Sequence, residues 1–155
     1  MPYFYVACEL MPYVIVCRYD RQTGRIYEPE YIPTVPENEI PENFDNFFDK
    51  PHPADICMHP GGRYLFVTNR GSDTVAIYSV DGSDGSLSLA GFSASGGVWP
   101  WACRFDTAGK FFYTGNKNDG KVAAFSFDDK SGRLNKLDHC VMIERPVCIR
   151  TLMVE

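Results

Sequence analysis

The sequence predicts an all-β chain made of four-stranded β-propeller blades, three per chain. Two observations carry this. The first is an internal repeat: Tyr3–Glu28, Tyr64–Leu89 and Phe111–Lys136 align without a gap. Tyr3/Tyr64/Phe111, Val14/Val75/Val122, Asp20/Asp81/Asp128, Gly24/Gly85/Gly132 and Ile26/Leu87/Leu134 fall in register. Each copy alternates apolar, aromatic and β-branched runs with Gly/Ser/Asp/Asn turns, the pattern of short strands joined by hairpins. The second is a Pro-led run upstream of two copies. PADICMHPGGR (Pro53–Arg63) leads into copy two and PWACRFDTAGK (Pro100–Lys110) into copy three, each Pro eleven positions before the next aromatic start. Four short strands at a spacing of 47 residues make a propeller blade.

In chain order, blade one covers about 3–35 and has no Pro-led strand of its own. An insertion follows over 36–52, then blade two at about 53–97 and blade three at about 98–145. The longer stretch Pro29–Pro53 stretches the first repeat to 61 residues against 47. It is rich in Pro and acid, yet it holds Phe44, Phe47 and Phe48, which a disordered linker rarely does. It reads as an ordered loop folded over one face, with a helical turn expected near Asn43–Phe48.

PVCIRTLMVE (Pro146–Glu155) reads as a leading strand with no blade after it, matching the strand that blade one lacks. Joined to the start of a second copy, Pro146 would precede Tyr3 by twelve positions, close to the eleven found elsewhere. Three blades do not close a ring, and an open arc leaves strand edges free. The 1–155 chain is therefore expected to be one three-blade unit whose ring is closed by oligomerisation. The 146–155 strand enters blade one of another chain, giving a strand-exchanged, six-bladed homodimer. A larger ring, or another propeller chain supplying four blades, are the alternatives.

A net charge of −5 without a Lys/Arg cluster excludes a phosphate-backbone footprint, so nucleic acid is not an expected partner. No basic-then-apolar leader follows Met1, and no segment approaches about 18 apolar residues. No membrane contact is expected, and the location expected is cytoplasmic. Cys8, Cys17, Cys57, Cys103, Cys140 and Cys148 show neither CxxC pairs nor metal-ligand spacing and fall on predicted strands. They are expected to be buried free thiols acting as small apolar groups. Neither a metal nor a cofactor is expected.

In a propeller the second strand of each blade ends at the mouth of the central channel, where the connection to the next blade also arrives. Glu9, Arg70 and Lys117 end the second strands at equivalent positions and differ in charge while the apolar pattern around them holds. His52, Asp55 and Trp101 stand at the starts of the leading strands, and Arg104 and Arg150 lie deeper. Cations in such a mouth hold a phosphate or carboxylate, so a small anionic ligand is the expected partner. Glu9 there activates a water as general base. The same charges also suit a solvated rim on which they pair with one another, and spacing leaves both readings open.

PADICMHPGGRYLFVTNRGSDTVAIYSVD, the GNKNDGKVAAFSFD run and the closing RPVCIR resemble the seven-bladed lactonase propellers, the 6-phosphogluconolactonase type related to fungal carboxy-muconate lactonizing enzymes. The insertion ending NFFDKPHPADI resembles a loop of that family, and the likeness spans the C-terminal three blades of such a protein. It implies hydrolysis of a sugar-acid lactone by water attack, with cations stabilising the oxyanion. It also implies Glu9 and Arg70 as catalytic residues, while the mouth reading sets Lys117, Trp101, Asp55, Arg104 and His52 around the substrate. The chain departs from the pattern at Cys57, where the family often has His, at Trp101 for an Arg, and at Lys117 for a Gln. Two functions stay open: a lactone hydrolase, and a non-catalytic propeller that binds or assembles without the family's site.

Overall fold

The computed structural model describes residues 2–27, 29–43 and 51–153. The repeat folds as three antiparallel sheets. The first holds β1 (Tyr3–Ala7), β2 (Tyr13–Arg18) and β3 (Glu30–Pro33), in that order. The second holds β4 (His52–Met58), β5 (Tyr64–Arg70), β6 (Thr74–Val80) and β7 (Leu87–Ala94). The third holds β8 (Pro100–Phe105), β9 (Phe111–Asn116), β10 (Lys121–Asp128) and β11 (Arg133–Met142). Register repeats with the sequence: Tyr3 faces Arg18, Tyr64 faces Ser79 and Phe111 faces Ser126. These are propeller blades, and the chain is all-β.

One turn chemistry closes every blade's outer hairpin. Asp20, Asp81 and Asp128 accept backbone N–H groups from the residues two or three positions on, and their own carbonyls accept the N–H of Gly24, Gly85 and Gly132. These bonds hold the three carboxyls below the usual range: chiefly the Thr23 N–H for Asp20, the Ser83 hydroxyl for Asp81 and the Ser131 hydroxyl for Asp128. The glycines sit at φ near +70°, where a side chain is strained. A second constraint applies to two of them. A Cβ on Gly85 would stand 2.3 Å from the Tyr3 ring, and one on Gly132 2.8 Å from the Tyr64 ring. The first aromatics of blades one and two thus seat on the glycine turns of blades two and three.

Alternation sends one face of each strand between neighbouring blades. Blades two and three enclose an aromatic core of Phe66, Phe105, Phe112 and Phe125, with Cys57, Val75, Ile77, Cys103 and Ala123. Blades one and two enclose a smaller set: Val14, Leu65, Val67, Ala76 and Tyr78. Tyr78 is fully buried and donates its hydroxyl to Pro33 O, which ties blade two to β3.

The expected burial of all six cysteines is corrected. Residues 146–153 form no strand among the described residues. They lie along their own blade three, with Pro146 against Gly115 and the Thr151 hydroxyl donating to Phe105 O at 2.9 Å. That is the side an incoming inner strand takes, but no second strand stands beside the segment to complete a ladder. Among the described residues the insertion holds a helical turn at Glu37–Glu39, and the place expected for one, near Asn43–Phe48, falls outside them past Asn43. Phe44, Phe47 and Phe48 lie outside the described residues. All six cysteines are free, but only Cys17, Cys57 and Cys103 are buried, whereas Cys140 and Cys148 are exposed. Cys140 stands on the outermost strand and Cys148 on the unpaired segment, where neither has a second layer to cover it.

Candidate functional site

Residues that the sequence reading passed over set the mouth. Asn69 and Asn116, fully buried at the ends of β5 and β9, reach across to the preceding blade. Asn69 Nδ2 donates to Thr34 O at 2.6 Å, and Asn116 Nδ2 to the equivalent Ser95 O at 3.4 Å. Each asparagine pins the chain leaving one blade to the strand end of the next. Arg70 and Lys117 are the residues that follow, so both are delivered to the same face. The signal was present in the sequence as the repeated Asn-cation step. In blade one the position is Cys8, and the grip is missing.

The leading strands bring the aromatic wall. β8 carries a bulge between Pro100 and Ala102, which leaves Trp101 as the extra residue and re-aims its side chain. Before it, Trp99 sits at φ +65°, uncommon for a bulky residue and more so before proline. Two bonds hold it there: its N–H donates to Asp73 Oδ1 at 2.8 Å, and its carbonyl accepts the Lys117 N–H at 3.0 Å. Trp99 had not been singled out from the sequence, although it occupies the position before the leading Pro that His52 holds in blade two.

Around this wall three of the expected residues meet. Arg70 Nη2 donates to Glu9 Oε1 at 2.7 Å. The Arg70 guanidinium lies 4.5 Å from the Trp101 ring centre and 5.8 Å from that of Trp99. Lys117 Nζ lies 4.3 Å from the Trp101 ring centre, so one indole is shared by two cations. Burial separates the partners: the Arg70 side chain is 3% exposed and that of Glu9 57%. The buried guanidinium is further satisfied by Pro53 O at 3.3 Å and His52 O at 3.5 Å. A pocket of about 170 Å³ opens here, lined by Ala7, Glu9, Pro53, Ala54, Arg70 and Trp101. A larger one of about 660 Å³ begins at Lys117 and runs to Arg145.

The other expected site residues stand apart from this opening. His52 is fully buried, its Nδ1 3.1 Å from Glu9 O and its ring against Trp99. It positions the Glu9 backbone from behind. Asp55 spends its carboxylate on the N–H groups of Ile56 and Cys103, both at 2.9 Å, a tie between adjacent inner strands. Arg104 lies one layer deeper, close enough to act electrostatically on Cys57 and Cys103. Arg150 is exposed and bonds the carbonyl of its neighbour Ile149. Among the described residues no cluster of three or more potential metal ligands occurs, and no helix is long and apolar enough to cross a membrane.

This arrangement can hold an anion beside an exposed carboxylate, and known proteins share the frame. The family described as "Lactonase, 7-bladed beta-propeller" matches residues 1–151. The chain is 30% identical to the 6-phosphogluconolactonase of Bacillus subtilis over 150 residues, covering 97% of this chain and 41% of that protein. A solved protein from Lactobacillus plantarum superposes with a TM-score of 0.83 at 29% identity, over 97% of this chain and 42% of that one. The periplasmic gluconolactonase of Pseudomonas aeruginosa also gives 0.83, at 25% identity, over 97% of this chain and 39% of its own. The chain thus spans about two fifths of the length of these relatives.

Proposed function

Because the chain belongs to the seven-bladed lactonase β-propeller family, we propose that its mouth binds and hydrolyses a sugar-acid lactone such as 6-phosphogluconolactone. One observation carries the reading: an exposed carboxylate, Glu9, held at 2.7 Å by a buried arginine at the rim of a pocket. Arg70 aims that carboxylate. Glu9 takes a proton from water as the water oxygen attacks the lactone carbonyl. The ring C–O bond then breaks, and the proton passes to the leaving alkoxide to give the open hydroxy acid. Lys117, held over Trp101, opposes the negative charge that develops or binds the substrate's anionic end.

A second reading has its own support. The Arg70 guanidinium already serves Glu9, Pro53 O and His52 O, and Cys57 and Trp101 replace the His and Arg that the family resemblance implies. The mouth would then bind an anion without turning it over. Hydrolysis of 6-phosphogluconolactone separates the two. Glu9→Gln is expected to lower turnover about 10²–10⁴-fold with the fold unchanged by circular dichroism. Turnover that survives both Glu9→Gln and Arg70→Ala removes the site, and binding without any turnover favours the module.

For assembly, we propose that the free edge of β1 takes the 146–155 segment of a second copy, or an inner strand of another propeller chain. Among the described residues β1 has a ladder partner on one side only, β2. The Pro146 segment keeps the leading-strand pattern: its Arg150 stands four positions after the Pro, as Arg104 does after Pro100. Light scattering at micromolar concentration tests this, and a folded monomer overturns it. The six free thiols support a reducing compartment, hence the cytoplasm, and cell fractionation checks that.

A further inference from the structure

The pocket of about 660 Å³ beside the mouth holds a cation that neither the sequence reading nor the proposed chemistry uses. One of its walls is the β9–β10 turn, with Lys117 and Asp119. The other is the chain leaving β11, with Glu144 and Arg145. The Ile143 N–H donates to Gly120 O at 2.7 Å, which ties the two walls together.

The repeat explains why Arg145 stands there. His52, Trp99 and Arg145 each directly precede a leading Pro. The first two reach the residue that ends the second strand of the blade before. His52 Nδ1 lies 3.1 Å from Glu9 O, and the Arg70 guanidinium lies 5.8 Å from the Trp99 ring centre. The same step carries Arg145 to Lys117, and both line the pocket. Arg145 also shares the left-handed backbone of Trp99, φ +50° against +65°.

Charge in this pocket favours an anion. Among the described residues neither the Lys117 ammonium nor the Arg145 guanidinium is in an ion pair. Of the two acids, Asp119 is already taken: its Oδ2 lies 3.3 Å from Lys121 Nζ, and its Oδ1 accepts the Lys121 N–H at 3.4 Å. Glu144 is left against Lys117 and Arg145, an excess of positive charge. Lys117 and the Arg70–Glu9 pair meet at the same Trp101 ring. A ligand with its ester at Glu9 therefore reaches this pocket across a single indole.

Given that the mouth takes a sugar-acid lactone, we propose that Lys117 and Arg145 form a second subsite, which holds a phosphate at the far end of the substrate. Arg145 supplies a planar fork of N–H donors and Lys117 a point charge, and the two together suit a phosphate dianion. Lys117 then serves the phosphate rather than the developing oxyanion, and the subsite selects phosphorylated over neutral sugar acids.

Calorimetric titration with 6-phosphogluconate, gluconate and inorganic phosphate tests this. The wild-type protein is expected to bind 6-phosphogluconate at least about tenfold more tightly than gluconate, with inorganic phosphate competing against the former. Arg145→Gln and Lys117→Gln are each expected to remove about tenfold of that preference and leave gluconate binding unchanged. Arg133→Gln, the same charge change at the exposed start of β11, is expected to keep it. Equal wild-type affinity for the two acids overturns the subsite without any variant. So does a preference that survives both Arg145→Gln and Lys117→Gln. Glu9→Gln separates this from hydrolysis, because it is expected to leave the preference in place. Arg145-dependent binding in a protein that turns over no lactone removes the hydrolytic reading and keeps the subsite. Turnover without any preference for phosphate does the reverse.

Discussion

The two inter-blade seams use the same repeat but are filled differently. Between blades two and three, five phenylalanines pack ring on ring, most of them edge to face, with the Phe66 ring centre within 5.3 Å of those of Phe105, Phe112 and Phe127. Between blades one and two the buried positions are mostly aliphatic, and blade one contributes three strands where the others have four. The difference lies in the leading strand. β4 and β8 each bring an inner layer that widens the seam, and blade one has only β1 there. Blade one is therefore attached through Tyr3, Tyr5, Val14 and the Pro33–Tyr78 bond, together with the bonds of Thr34 and Glu9 to Asn69, His52 and Arg70.

The largest expected effect tests the packing half of that contrast. Phe66→Ala empties the centre of the aromatic seam and is expected to cost about 3–5 kcal/mol. Val14→Ala, equally buried in the thinner seam, removes fewer contacts and is expected to cost about 2 kcal/mol. Urea titrations of the two variants measure the gap. Equal losses would mean that the seams are energetically alike.

The glycine turns sharpen the comparison, because backbone and neighbour are separable there. Gly24, Gly85 and Gly132 share φ near +70°, so alanine at any of them carries the same left-handed strain, about 1–2 kcal/mol. Only Gly85 and Gly132 also meet an aromatic ring of the preceding blade, while nothing lies within 4 Å of a Cβ at Gly24. Gly85→Ala is expected to lose more stability than Gly24→Ala. Pairing it with Tyr3→Ala should recover part of the excess, a non-additivity that a double-mutant cycle reads.

A smaller effect is shared by all three blades. Asp20, Asp81 and Asp128 have folded-state pKa values below their unfolded ones. Their contribution is therefore present above the unfolded value of about 4 and is lost as pH falls through the lowered folded values. The urea midpoint is expected to drop between about pH 5 and pH 3. Asp81→Asn should flatten that drop, and an unchanged profile would remove the turn carboxylates as its source. The smallest effect is at the rim, where Arg63 and Asp129 bridge blades two and three at 2.8 Å with both side chains more than half exposed. Arg63→Ala is expected to cost less than about 1 kcal/mol, and 1 M salt should erase it.

Repeat, period and turn chemistry were legible because they are local. An Asp-x-x-x-Gly corner or a Pro-led strand is encoded within a few residues, and three aligned copies repeat each signal. The convergence of Glu9, Arg70 and Lys117 on one face followed from the same register. What each charge does there was a tertiary matter. Arg70 is sunk beneath Trp101 and bonded to Glu9 because a bulge in β8 re-aims the indole, and a residue count does not reveal a bulge. Asp55 and His52 were read as ligand-facing, yet both carry structural bonds, since their partners lie on other strands. The Pro146 segment shows the same limit. Its inner-strand pattern is local, but a strand exists only with a neighbour to share hydrogen bonds, and the described residues place none beside it.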